Sequence, residues 1–197
     1  VDQVVLPCSC GKPLVLFGHS MGGAVAALML MRRSEVFSRA VLNAPMIQPL
    51  TKGIPFRIAQ VMGRVLCAVG MGKRLMFGFC DGFDPQENFE TGCDTSRARF
   101  EYYLEKRRRM PHLQNMSPTI GWVRNAMDVT DVLLSRKNAS AIACPVLLLQ
   151  AETDGSVVNE AEDKFIALVP QGRLVQVPGS KHEIYASTDD VLEGYYQ

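Results

Sequence analysis

The sequence predicts an α/β fold: a partial parallel sheet of about four strands, with a helical cap inserted into it. Three observations carry that expectation. Short apolar runs bounded by Pro and Gly stand near both ends of the 197-residue chain. Between them lies a long stretch with helical periodicity and few strand signals. A glycine-rich turn, Gly18 to Gly23, joins the first apolar run directly to a helical one. Strands alternating with helices at both ends, with helices between, are the pattern of a layered α/β domain carrying an insert.

Each element can be justified in order. Pro13–Phe17 is a short apolar run between breakers, as expected of a buried parallel strand. Ala24–Met31 reads as a helix, ended by Arg32 and Arg33, which suit a helix C-terminus. Arg39–Asn43 is a second strand, stopped at Pro45. From there to about residue 140 the pattern is helical. Residues 54–69 form an amphipathic helix with Arg57, Gln60 and Arg64 on one side. Ser96–Arg109 is a second helix, N-capped by Thr95 or Ser96 and closed at Pro111. Thr119–Leu134 is a third, with Trp122 and Val123 assigned to its apolar side. Strand signals return at Cys144–Gln150 and Arg173–Val177. Helices are expected over Glu160–Leu168 and from Asp189 onward. The expected organisation is therefore core (1–44), cap (45–140), core (141–197).

Composition narrows the function classes. Hydrophobic residues make up 47% and charged residues 21%, so a disordered chain or a coiled coil is excluded. The net charge of +1 supplies no global field for nucleic acid, and none is expected as a partner. No apolar run is long enough to span a bilayer, and no basic-then-apolar leader opens the sequence. Charge divides unevenly: residues 51–137 carry a net +5 and the remainder a net −4. The helical run Lys106–Arg109 could meet phosphate or an anionic surface, although a solvated helix end explains it as well. Met46, Met62, Met71, Met76 and Phe77 add flexible apolar surface to the cap. Six scattered cysteines read as reduced thiols, and the Cys8-Ser9-Cys10 spacing is not that of a zinc or redox site.

The chemistry centres on Gly18-His19-Ser20-Met21-Gly22, a GxSxG motif between a strand and a helix. In that position the motif marks a nucleophile elbow. Ser20 is expected in a strained backbone conformation that pushes Oγ into the open. Gly18 and Gly22 are expected to be required by crowding across the turn. The Met21 N–H, opening the helix, is the candidate oxyanion donor. A serine needs a base to take its proton, and the chain holds three histidines. His19 sits inside the elbow and is expected to point away from Ser20. His112 follows a basic helix. His182 follows the last strand and alone fits the order Ser, acid, His. For the orienting acid, Asp154 in a polar turn is preferred to Glu152, which lies nearer the strand end.

Several stretches resemble a known family. These are Leu14–Gly23, Pro145–Asp154 and Val177–Ile184, with Ser96–Phe100 and Pro118–Val123 in the cap. Together they resemble the bacterial lysophospholipase and monoacylglycerol lipase group of the α/β-hydrolases. The resemblance implies an α/β-hydrolase fold and a triad of Ser20, Asp154 and His182. It implies acyl transfer from a lipid monoester with no metal or cofactor, in a cytoplasmic protein with peripheral membrane-surface contact. The same triad would serve a thioesterase or an acyltransferase. Members of the group carry about four strands before the elbow, and a His-Gly type loop there supplies a second oxyanion donor. Here Val1–Leu6 precede the loop to the first strand and look like the tail of a helix. The resemblance thus places the second donor outside these residues, a loss expected to cost about 10²–10³ in rate. A catalytically silent fragment is the corresponding alternative. It also leaves the first strand as an apolar edge.

Overall fold

A computed structural model describes residues 1–76, 83, 87–114 and 117–197. Phe77 and Cys80 lie outside the described residues. The element order is α1 (Val5–Ser9), β1 (Val15–His19), α2 (Met21–Arg33) and β2 (Arg39–Asn43), then α3 (Phe56–Ala68), α4 (Arg97–Arg109), α5 (Ile120–Leu133) and α6 (Arg136–Ala139). The chain ends with β3 (Val146–Ala151), α7 (Asn159–Ile166), β4 (Gly172–Val177) and α8 (Asp189–Tyr195).

The four strands form one parallel sheet in the order β1-β2-β3-β4. β2 and β3 are its interior strands, and their side chains Leu42, Val146 and Leu148 are sealed from solvent. Helix α2 packs Ala24, Ala26, Ala27 and Leu30 against them, with Phe165 and Ile166 of α7 in the same cluster. The small residues on α2 let it approach the strands closely. β1 is an edge of this sheet, and its Val15 and Phe17 are more than half exposed.

The helices between β2 and β3 follow the expected boundaries within about two residues. Ser96 caps α4 by accepting the Arg99 N–H at 3.4 Å, and Thr119 caps α5 by accepting the Trp122 N–H at 3.2 Å. Two expectations need correction, and one helix carries a surprise. Val1–Leu6 are not a helix tail; a short helix runs from Val5 to Ser9. Trp122 is not on the covered side of its helix, because α5 buries Ile120, Ala126, Met127, Thr130 and Leu133 and leaves Trp122 42% exposed. The amphipathic helix α3 also faces opposite to the usual arrangement. Its polar face is the attached one: Gln60 donates to Asp131 at 2.8 Å and Arg64 to Asp128 at 2.7 Å, both on α5. Its apolar stripe Ile58, Val61, Met62 and Val65 is exposed. Periodicity identifies the apolar face of a helix but not whether anything covers it.

The run Lys106–Arg109 is largely engaged on the protein surface. Arg107 pairs with Glu87, Arg109 with Glu105, and Lys106 sits over the Tyr102 ring. Cys8, Cys10, Cys67, Cys93 and Cys144 carry free thiols. Among the described residues, no helix is long and apolar enough to cross a membrane.

Candidate active site

The elbow is built by the junction of β1 and α2. Ser20 ends the strand at φ 51° and ψ −120°, a conformation that non-glycine residues rarely adopt. Two backbone bonds hold it there: Ser20 N–H donates to the Asn43 carbonyl, and Met46 N–H donates to the Ser20 carbonyl. Met21 opens α2, so its N–H has no acceptor within the helix.

Glycine is required at this junction, though not at both expected positions. A Cβ on Gly18 would lie 2.6 Å from the Gly22 carbonyl oxygen and 2.9 Å from the Ala26 Cβ. A Cβ on Gly22 would meet nothing among the described residues. The second crowded position is Gly23, where a Cβ would lie 2.6 Å from the Pro45 Cβ. The expectation for Gly22 fails because its Cβ position is open, and what crowds the elbow from this residue is its carbonyl oxygen, against Gly18.

Loops at the C-terminal ends of β3 and β4 bring the other two candidates to Ser20. His182 Nε2 lies 2.8 Å from Ser20 Oγ, and His182 Nδ1 lies 2.7 Å from Asp154 Oδ2. Both the imidazole and the carboxylate are almost fully buried. Asp154 Oδ1 accepts the N–H groups of Ser156 at 2.7 Å and Val157 at 2.9 Å. Burial alone would raise the Asp154 carboxyl. The His182 hydrogen bond and charge, with the two backbone N–H groups, outweigh it and hold the carboxyl below its ordinary value. An ionised carboxylate only accepts, so Nδ1 carries the proton and Nε2 is left to accept from Ser20 O–H. Glu152 is placed elsewhere: its Oε2 accepts the Gly179 N–H at 2.7 Å and so braces the turn leading to His182.

His112 is exposed and takes no part in this cluster. His19 does not reach Ser20, but it is closer to the site than expected: its ring centroid lies 5.1 Å from that of His182. Asn43, Glu183 and Tyr195 also surround the site, and no sequence motif singled them out. The His-Glu dipeptide after β4 was the one available signal, for Glu183.

The segment between β2 and β3 ties down the loops that carry Asp154 and His182. Leu50 N–H donates to the Ser156 carbonyl and Val158 N–H to the Gln48 carbonyl, fastening the turn that holds Asp154. Glu183 N–H donates to the Cys93 carbonyl, and Ser96 N–H to the Ala186 carbonyl. Arg99 adds a bond to the Ser187 carbonyl at 2.9 Å. The insert therefore restrains the loop that carries His182.

The chain is similar to several known proteins. The chain is 31% identical to lysophospholipase L2 of Escherichia coli K12, over 95% of the chain and 56% of that protein. It is 30% identical to probable lysophospholipase L2 of Haemophilus influenzae, over 89% of the chain and 55% of that protein. The chain thus spans about half the length of the curated relatives it matches. Among solved structures, a monoacylglycerol lipase of Paleococcus ferrophilus superposes with a TM-score of 0.70 at 21% identity, over 97% of the chain and 68% of that structure. A soluble variant of monoglyceride lipase from Saccharomyces cerevisiae gives 0.72 at 19% identity, over 96% and 60%. At those identities the likeness shows the fold, which is that of the α/β-hydrolases. The family model described as serine aminopeptidase, S33, matches residues 1–189, and the chain belongs to that family of α/β-hydrolases.

Proposed function

We propose that these residues form the catalytic part of a serine hydrolase acting on lipid monoesters, a lysophospholipid or a monoacylglycerol. The observation that carries the reading is the continuous relay from Asp154 through His182 to Ser20, at 2.7 and 2.8 Å, with Ser20 on a strained elbow. The curated relatives named lysophospholipase L2 support the choice of lipid substrate.

In this reading Ser20 Oγ attacks the ester carbonyl carbon while His182 Nε2 takes the hydroxyl proton. The carbonyl oxygen becomes an oxyanion facing the Met21 N–H. Collapse breaks the bond to the alcohol, which receives the proton from His182. Water then repeats the sequence on the acyl-enzyme, releasing the fatty acid and restoring Ser20. Asp154 holds the imidazole tautomer throughout and stabilises its cation. Residues 45–140 serve as a cap that fastens the catalytic loops.

A fluorophosphonate probe tests the reading directly. The wild-type chain is expected to be labelled and Ser20→Ala is not. A folded wild-type sample that resists labelling would sink the proposal. Parallel turnover of lysophosphatidylcholine and a monoacylglycerol distinguishes the two substrates.

The exposed stripe on α3 supports a contact with the lipid surface that holds the substrate. Residues 51–76 contain five Lys and Arg and no Asp or Glu, and exposed Lys52, Lys73 and Arg74 lie at the two ends of the stripe. That combination suits a helix lying on an anionic interface. Placing Asp at both Val61 and Val65 is expected to reduce cosedimentation with phosphatidylglycerol vesicles about tenfold or more. Undiminished binding would exclude this face as the contact.

A further inference from the structure

We propose that His19 and Glu183 form a clip that joins the elbow to the base loop and sets the distance between Ser20 and His182. The proposal rests on the triad reading above and assigns a positioning role to two residues outside the triad. The sequence relation is simple: His19 immediately precedes the nucleophile, and Glu183 immediately follows the base. His19 Nε2 lies 3.3 Å from Glu183 Oε2, a close contact rather than a well-aligned hydrogen bond. Both atoms are sealed from solvent, and neither has a hydrogen-bond partner among the described residues. Two such atoms facing each other are costly unless they share a proton.

The carboxylate decides how the protons are arranged. Glu183 only accepts, so His19 Nε2 must carry the hydrogen. In the neutral ring Nδ1 then accepts, and the group facing it at 2.9 Å is the Asn43 side-chain amide, which must present its NH₂. The Asn43 oxygen is thereby turned to Tyr195, whose O–H donates to it at 3.1 Å. The opposite tautomer would send Nδ1–H to the Asn43 carbonyl, 3.0 Å away and already bonded to Ser20 N–H. It would also leave a bare Nε2 against a carboxylate. The first arrangement gives Tyr195, Asn43 and His19 Nδ1 complementary roles and sets a hydrogen between His19 and Glu183.

Packing makes the clip effective. The His19 ring lies between His182, at 5.1 Å and tilted by 47°, and Tyr185, edge-on at 5.1 Å. The neighbouring charged groups do not replace it. Lys181 donates to the Gly92 carbonyl. Asp94, also beside Glu183, is a carboxyl pushed up to about 6 by burial and by the Glu183 charge. Losing the clip frees the base loop to shift relative to the elbow, and small misplacements of reacting groups lower rates steeply.

Two measurements test the clip. Long-range ¹H–¹⁵N correlation of the histidine rings in the full chain reads the tautomer without any turnover. A protonated His19 Nε2 is expected, and a bare Nε2 overturns the proposal. The second measurement separates maximal labelling rate from probe affinity using a fluorophosphonate. Glu183→Ala and His19→Ala are each expected to lower the maximal rate about tenfold, with affinity changed less than about twofold. The double variant should be no slower than either single one, because both remove the same contact. His19→Gln, which keeps a donor toward Glu183, should recover most of the rate. Unchanged maximal rates, or losses that add, overturn the positioning role. If wild type itself is not labelled, the triad reading fails and the tautomer alone decides the clip.

Discussion

Asp154→Asn is expected to slow acylation of Ser20 about 10⁴-fold, the scale of this exchange in serine–histidine–aspartate triads. The reason is the direction of a single hydrogen bond. His182 Nδ1 faces Asp154 Oδ2 at 2.7 Å, and the carboxylate forces that nitrogen to carry the proton. The other oxygen is held by the N–H groups of Ser156 and Val157. An amide at position 154 would keep its oxygen on those two donors and turn its NH₂ toward His182. Nδ1 would then accept, Nε2 would carry the hydrogen, and Ser20 O–H would lose its acceptor. Shape and burial would stay the same, so the variant should melt close to wild type. Glu152→Gln is the control. Its oxygen can still accept the Gly179 N–H, so labelling should fall less than about tenfold, with about 1 kcal/mol of stability lost. If Glu152→Gln proves the more damaging of the two, the acid has been assigned to the wrong carboxylate. The measurement is the labelling rate of each folded variant.

The convergence of Ser20, His182 and Asp154 into one candidate site was legible in the sequence where its information is local or ordered along the chain. Gly18 to Gly22 lie on one strand–turn–helix, and Asp154 and His182 each follow a recognisable strand, so motif and order were enough. The sheet was legible for the same reason: each strand is a short apolar run between breakers. What escaped depends on atoms brought together by folding. Gly23 must be glycine because Pro45 comes back across the elbow, and nothing around Gly23 announces that. Asn43 and Tyr195 meet only because the end of β2 and the last helix converge on His19. The α3 stripe was visible as apolar, but its outward direction is set by Asp128 and Asp131 on α5 drawing in the polar face.

The inserted segment connects these observations. Its bonds to the Asp154 turn and to the His182 loop come mainly from backbone groups, which carry no residue signature. The proposed cap and the candidate triad lie on separate segments, and the hydrogen bonds between them form only in the folded chain. The buried polar groups near the site follow the same logic. His19 and Glu183 sit opposite each other, whereas the Glu162 carboxylate has no hydrogen-bond partner among the described residues.

Glu162→Gln is therefore expected to stabilise the protein, by an amount that grows with pH. Glu162 lies on α7, fully buried, and neither carboxylate oxygen has a hydrogen-bond partner among the described residues. Burial pushes its carboxyl up to about 9, only partly offset by the nearby Gln150 amide, and the charges of Asp154 and Asp163 add to the rise. The Gln150 NH₂ is itself committed to the Asn159 carbonyl and to Asp163. In the unfolded chain the same carboxyl titrates near 4.5. The folded state thus holds this proton more tightly than the unfolded state. The associated stability is complete below about pH 4.5 and is lost progressively as pH rises toward 9. By pH 7 the loss amounts to about 3 kcal/mol, at 1.36 kcal/mol for each pH unit above the unfolded value. Glutamine has nearly the same shape and carries no proton to lose. Denaturant unfolding should find the two proteins within about 1 kcal/mol near pH 5, with the variant ahead by about 4 kcal/mol at pH 7.5. A gap that is the same at both pH values would mean that Glu162 does not change its ionisation on folding.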